Sequence, residues 1–294
     1  MKNISDGFLL VNKPLGITSR RLVDMVARQT SKKVGHTGTL DPLATGMMVL
    51  AIGDATKFSK WIVSSNKAYE AEVQFGSQTS TDDAEGDIVE HSNKRITKDD
   101  MLMALPQFLG NIQQRPPNFS AIHINGKRAY KLARSQQEFE IPSRQITIHD
   151  IHCISFDEKT QQTRLYIHCQ SGTYIRSIAR DLGKHLECFG HLSNLKRLWI
   201  SPFEKTPFYE LDDTRLSVIS LESYFMTHAH IPHVLLNKEQ ALSLANGQTI
   251  TLSEQDTLAA FYQDHFLGII EPSSPYTYRS IKLRPNIQKH LTNV

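Results

Sequence analysis

The stretch GHTGTLDPLATG, residues 35 to 46, holds one carboxylate, Asp41, among glycine, threonine and small apolar residues; the nearest other acids are Asp24 and Asp54. A lone carboxylate suits chemistry at a sugar carbon to which solvent adds nothing, as a nucleophile or as a stabiliser of a cationic sugar. Such a group needs a cation to keep it ionised in a low-dielectric pocket and an aromatic face to hold a base. Arg176 in GTYIRS and Tyr69 in KAYEA are the candidates. Pro42 drives Asp41 toward extended backbone and so toward a stiff loop, and Gly35 and Gly38 allow the chain to pass close to a ligand. The local pattern also fits a plain helix start, with Asp41 as N-cap, Pro42 in the first turn and Gly46 as the stop. The stretch alone leaves both readings open.

Other chemistries lack their residues. HExxH, paired cysteines, GxxxxGK[ST], GxSxG and GxGxxG are all absent, so neither a metal, an ATP nor a dinucleotide cofactor is indicated. The histidine groups His149/His152 and His228/His230/His233 have no accompanying ligand pattern and read as surface or core side chains. Glycoside hydrolysis calls for two carboxylates flanking the bond, and this loop supplies one. Cys153, Cys169 and Cys188 are odd in number and far apart, which reads as buried small hydrophobes rather than a disulfide framework.

The elements that must carry these residues follow from periodicity. GFLLVNKPLG gives a strand and a turn; TSRRLVDMVARQ is a helix capped at Thr18/Ser19 with Leu22, Val23 and Val26 on one face. MMVLAIG and KAYEAEVQFG read as strands, SQTSTDDAEGD as a long loop, and QITIHDIHCISFD with TRLYIHCQSG as an antiparallel pair. TYIRSIARDLGKHL is the clearest helix, with Ile175, Ile178, Ala179 and Leu182 on one side. Without βαβ alternation or an internal repeat, the class is α+β. Residues 211 to 233 read as a linker, followed by a small, mostly β unit of about sixty residues that docks on the larger part.

The chain has 294 residues, 39% apolar and 21% charged, with a formal net charge of +3. That composition suits a globular protein and permits nucleic-acid binding only through a local patch. NGKRAYKLARS supplies one: on a helix Lys127, Lys131 and Arg134 stack at i, i+4 and i+7. An ordinary solvated helix face fits that stripe equally well. No apolar run approaches the eighteen or so residues of a membrane span, and no signal-peptide cleavage pattern follows GFLLV, so a cytoplasmic protein is expected.

GFLLVNKPLGITS, KVGHTGTLDPLATGMMVLAIGDATK, KAYEAEVQFG, PPNFSAIHINGKRAYKLAR and SGTYIRSIARDLG with LKRL stand in the order and spacing of the TruB family of tRNA pseudouridine synthases. The resemblance spans residues 7 to about 205. It implies a pseudouridine synthase fold over residues 1–227, with an RNA-gripping insertion near 118–145, and a PUA-like RNA-binding unit over 228–294. It implies that Asp41 attacks a uridine flipped out of the T-arm of tRNA, at position 55. The freed uracil turns and reattaches through carbon five, without metal, nucleotide or redox cofactor. Base flipping is required because the bond is inaccessible inside the folded arm. In the same resemblance Tyr69 matches the tyrosine that stacks on the base and takes the carbon-five proton, and Arg176 the arginine that pairs with the aspartate. Tyr174 and Leu195 match residues lining the uridine pocket, and His36 one that fills space left by unstacked bases. A monomer is expected, with tRNA as partner and no membrane or small-molecule cofactor. Two departures, Ser80 where an aspartate is usual and no glycine after Ala133-Arg134, bear on the RNA-gripping loop and leave the chemistry alone. A tRNA-remodelling protein without catalysis and a hydrolase releasing free uracil are the competing readings; intact Asp41, Tyr69 and Arg176 favour the isomerase.

Overall fold

The computed structural model describes residues 5–124, 126–135, 138–211, 217–285 and 287–292. A nine-stranded sheet dominates. Its order is Val218–Ser220, Gly7–Lys13, Ala44–Ile52, Gly190–Ile200, Lys67–Phe75, Gln162–Cys169, Arg144–Asp157 and Gly110–Gln114, with Val34–His36 paired to Ala44–Ile52. Every pairing is antiparallel except that of Gly190–Ile200 with Ala44–Ile52. The fold is therefore α+β, with a mixed, largely antiparallel sheet.

Apolar periodicity assigns the two faces. Leu22, Val23 and Val26 of the Ser19–Thr30 helix and Ile175, Ile178, Ala179 and Leu182 of the Ile175–His185 helix are buried in one core against alternate residues of the central strands, among them Leu9, Leu50, Tyr69, Ala71 and Leu195. Thr18 caps the first helix by accepting from the Arg21 N–H. The opposite face, carrying Phe8, Leu10, Met47, Val49 and Ala51, is closed by Tyr224 and Phe225 and by Ala259, Phe261, Phe266 and Ile269 of the C-terminal unit. That unit is a five-stranded sheet ordered His233–Leu235, Leu258–Tyr262, His265–Ser274, Thr277–Leu283 and Ile250–Thr251, with a core of its own around Leu236, Leu244, Leu267 and Tyr278. Arg284 bolts it to the larger part through ion pairs with Asp54 at 3.4 Å and Glu222 at 2.5 Å.

Two expectations from sequence need correction. The segment expected to be a linker is packed: Val218–Ser220 extends the large sheet beside Gly7–Lys13, and Leu221, Tyr224 and Phe225 are buried. Residues 212–216 lie outside those described. Asp41 is not a helix N-cap either. Its carbonyl accepts from the Ala44 N–H at 3.0 Å, and the Ala44–Ile52 strand begins there. Gly46, read as a helix stop, lies inside the strand at φ +101°, where an added Cβ would sit 2.2 Å from the Arg197 carbonyl oxygen. Gly46→Ala is accordingly expected to destabilise the protein by at least about 2 kcal/mol, read as a lower denaturation midpoint, because it combines left-handed backbone with a clash at a parallel pairing.

Candidate active site

The loop between Val34–His36 and Ala44–Ile52 is pinned at successive points. The Thr37 N–H donates to the Val49 carbonyl at 3.1 Å; Ser19 Oγ accepts from the Leu40 N–H at 2.8 Å and donates to the Leu40 carbonyl at 2.7 Å. The Pro42 carbonyl accepts from the Gly16 N–H at 2.9 Å and from Lys13 Nζ at 3.4 Å. Fixed on both sides, Asp41 has little backbone freedom left, as the proline alone led one to expect.

Its side chain meets Arg176. Arg176 Nε lies 3.0 Å from Asp41 Oδ2, and the Asp41 side chain is 36% exposed while that of Arg176 is 8% exposed. The other nitrogens of Arg176 are also engaged: Nη1 donates to the Thr81 carbonyl at 3.0 Å and pairs with Asp83 at 3.4 Å, and Nη2 donates to the Phe119 carbonyl at 3.0 Å. One guanidinium thus joins three segments, a use that suits its planar fork of five donors. Burial pushes the Asp41 carboxyl above the usual aspartate range; Arg176 and Lys13 pull it down and Asp83 pushes it up.

Tyr69 and Leu195 are buried in the same core, with Leu195 in register with Ala44 and Ala71. Burial holds the Tyr69 phenol above its ordinary pKa, opposed by Arg197, with which it shares a hydrogen bond. Arg197 is 1% exposed and donates through Nε to the Met47 carbonyl at 2.7 Å and through Nη2 to the Gly38 carbonyl at 3.2 Å. It therefore braces the Asp41 loop from below. His36 ends the short strand before that loop; burial, Arg197 and Arg20 lower its pKa, and its Nδ1 is buried without a hydrogen-bond partner. Tyr174 stands two residues before Arg176, with the Arg144 guanidinium 5.0 Å over its ring.

The structure joins Asp41 to Arg176 in an ion pair and buries Tyr69 and Leu195 in one core; His36 ends the strand before the Asp41 loop, and Tyr174 is the N-cap of the Arg176 helix. Lys127, Lys131 and Arg134 are exposed. The helix starts at Ala129, so Lys127 belongs to the two-residue strand Lys127–Arg128, paired with His123–Ile124, and the three cations do not form one helical stripe. Gly126, at φ +79°, makes the turn between those strands. Lys131 and Arg134 share a face of the helix.

Three buried charges escaped the sequence reading. Lys13 is fully buried and donates to the carbonyls of Pro14 at 2.9 Å and Ile17 at 2.7 Å; burial brings it down to about 8, with Asp41 and Glu85 opposing. Asp83, 3% exposed, accepts from Thr81 Oγ1 at 2.6 Å and from the Glu85 N–H at 3.1 Å. Arg197 lay in the quoted LKRL, where nothing local marks it. Among the described residues no group of three or more His, Cys, Asp or Glu is placed to hold a metal ion, and no helix is long and apolar enough to cross a membrane.

A family model described as the N-terminal domain of TruB family pseudouridylate synthases matches residues 26–175. The tRNA pseudouridine synthase B of Anaplasma marginale is 46% identical over 254 residues, covering 84% of this chain and 83% of that protein. The chain belongs to the TruB family. Its membership makes it a pseudouridine synthase, an isomerase. The tRNA pseudouridine synthase B of Ehrlichia ruminantium is 39% identical over 257 residues, covering 84% of this chain and 86% of that protein. Chains of two solved structures share the fold. One is from a Cbf5-Nop10-Gar1 complex, at TM-score 0.69 and 20% identity over 96% of this chain and 84% of that one. The other is from an H/ACA RNP bound to a substrate RNA containing 2′-deoxyuridine, at TM-score 0.71 and 18% identity over 96% of this chain and 86% of that one.

Proposed function

We propose that the enzyme converts uridine to pseudouridine at position 55 in the T-loop of tRNA, with Asp41 acting on a flipped-out nucleotide. The observation that carries this reading is the contact of the half-buried Asp41 with Arg176 on a loop pinned from both sides. The names of the relatives supply tRNA as substrate. The carboxylate attacks the sugar carbon and the N-glycosidic bond breaks. The uracil then turns and its carbon five displaces the carboxylate, freeing Asp41; carbon five loses a proton while N1 gains one, so the formula of the nucleotide is unchanged. Arg176 keeps Asp41 ionised against the pull of burial and of Asp83. Tyr69 gives the base an aromatic face, and Tyr174 and Leu195 line the uridine pocket. Burial raises the Tyr69 pKa and so favours the neutral phenol, while Arg197 pulls the other way. His36, held neutral, enters the gap left when bases unstack.

The deciding experiment is to incubate purified enzyme with unmodified tRNA and with a T-arm hairpin, digest, and separate nucleosides chromatographically. Pseudouridine at the T-loop supports the reading. Free uracil would indicate hydrolysis, and unchanged RNA a remodelling protein. Because nothing enters or leaves the nucleotide, turnover is expected to persist in excess EDTA once monovalent salt maintains the RNA fold. Loss that added magnesium or zinc restores would overturn a cofactor-free reaction.

The basic segment is read as a phosphate grip, and the C-terminal unit as an RNA-binding module adding affinity away from the target base. Replacing Lys127, Lys131 and Arg134 together with Ala is expected to weaken tRNA binding with little regard to sequence. It should also flatten the salt dependence by up to about one log unit of slope per lost phosphate contact. An unchanged slope would return these side chains to an ordinary solvated surface.

A further inference from the structure

Gln114 ends the Gly110–Gln114 strand, and it is 1% exposed. A buried primary amide must satisfy an acceptor and a pair of donors. Gln114 clasps one residue from both sides: its Oε1 accepts from the Tyr174 N–H at 2.8 Å and its Nε2 donates to the Tyr174 carbonyl at 3.0 Å. Tyr174 is the N-cap of the Ile175–His185 helix and makes no side-chain cap bond of its own. The amide therefore fixes the point at which that helix begins, two residues before Arg176.

The chain beyond Gln114 stays on the same helix. The Arg115 carbonyl accepts from Ser177 Oγ and from Arg180 Nη2, each at 2.8 Å, and the Phe119 carbonyl accepts from Arg176 Nη2 at 3.0 Å. The Ser120 carbonyl then accepts from the Tyr130 N–H at 3.0 Å, which ties the basic helix to the same strap. Beyond its first turn the helix is held independently by Ile178, Ala179 and Leu182 in the core. Loss of the clasp would free the first turn without unfolding the helix.

We propose that Gln114 is a positioning residue for the isomerisation: by clasping Tyr174 it sets the first turn of the helix so that Arg176 reaches Asp41. The inference rests on the reading of Asp41 and Arg176 given above. Gln114 touches neither the substrate nor Asp41; it acts through the backbone of Tyr174. A displacement of the guanidinium by about 1 Å at such a site lowers the rate by about 10²-fold.

The test uses the full chain with Gln114→Met, which removes both hydrogen bonds at similar volume, and Gln114→Glu, which keeps the acceptor for the Tyr174 N–H. Single-turnover pseudouridine formation on a T-arm hairpin is measured against pH, well below the melting temperature, together with hairpin binding. Gln114→Met is expected to lower the rate about 10²-fold with binding unchanged. Its acidic limb should move to higher pH, because Asp41 loses part of Arg176 while Asp83 still opposes its ionisation and Lys13, Glu85 and Tyr69 stay in place. For Gln114→Glu the rate relative to wild type should rise as pH falls, since the protonated acid restores the donor to the Tyr174 carbonyl. A folded variant with the wild-type rate and limb overturns the proposal, even if its melting temperature has dropped. Should Gln114→Met fail to fold, Gln114→Glu decides alone: a rate ratio flat with pH overturns it. Asp41→Asn runs alongside; if that variant keeps its activity, the assignment of Asp41 falls and not the clasp.

Discussion

Asp41→Asn is expected to make no detectable pseudouridine, a loss of at least about 10⁴-fold, while melting at the wild-type temperature and binding tRNA as before. Asparagine keeps the size of the side chain and an oxygen to accept from Arg176 Nε, so the contact at 3.0 Å survives in neutral form. The backbone contact of residue 41 with Ala44 is indifferent to the change. Stability has little to lose: burial already opposes the charge of Asp41, and a neutral amide relieves that opposition. An amide cannot attack the sugar or stabilise it with a full charge. Measured by digestion and chromatography, comparable turnover in mutant and wild type would remove Asp41 from the chemistry and leave its loop a structural feature only.

What the sequence made legible was set by local forces. The helix carrying Arg176 was readable because Ile175, Ile178, Ala179 and Leu182 recur at helical spacing, and each is buried. Thr18 was readable as a cap because capping joins residues three apart. Of the site, the carboxylate and its cation could be named as types that the chemistry needs, although no local pattern could bring residues 41 and 176 together.

The rest was hidden because it is made by contacts distant along the chain. Arg197 looks like one more exposed cation in LKRL, yet its strand lies between Ala44–Ile52 and Lys67–Phe75, so its side chain points into the interior toward Gly38 and Met47. Asp83 sits in a run of turn formers; it is buried because the loop folds back, with the Leu192 N–H donating to the Asp82 carbonyl and the Ala84 N–H to the Leu192 carbonyl. The helical reading of Asp-Pro failed for the same reason. Pairing with Gly190–Ile200 draws residues 44 to 46 into the sheet and overrides a local preference worth about 1 kcal/mol. Lys127 left the helical stripe because Gly126 turns the chain and the helix begins only at Ala129.

Arg176 is the residue on which the most of this architecture converges, and its replacement should have two separable effects. Arg176→Met removes the cation beside Asp41 and Asp83, leaving Asp83, 3% exposed, without its charge partner. Breaking a buried pair from one side costs about 3–5 kcal/mol, so the variant should melt well below wild type. Catalysis should fall by about 10²–10³-fold at neutral pH, for a different reason: Asp41 loses the group that pulls its pKa down, while burial and Asp83 still push it up. The sign follows. A carboxyl held higher stays protonated to higher pH, so the acidic limb of the rate profile shifts alkaline and part of the lost rate returns as pH rises. Adding Asp83→Asn separates the effects, since the double variant no longer buries an unpaired carboxylate at 83. Its melting temperature should recover much of the loss and its acidic limb should move part of the way back, yet its rate at the plateau should stay low, because nothing replaces the guanidinium that orients Asp41. Recovery of full activity together with stability would mean that Arg176 serves the fold alone and that Asp41 needs no partner.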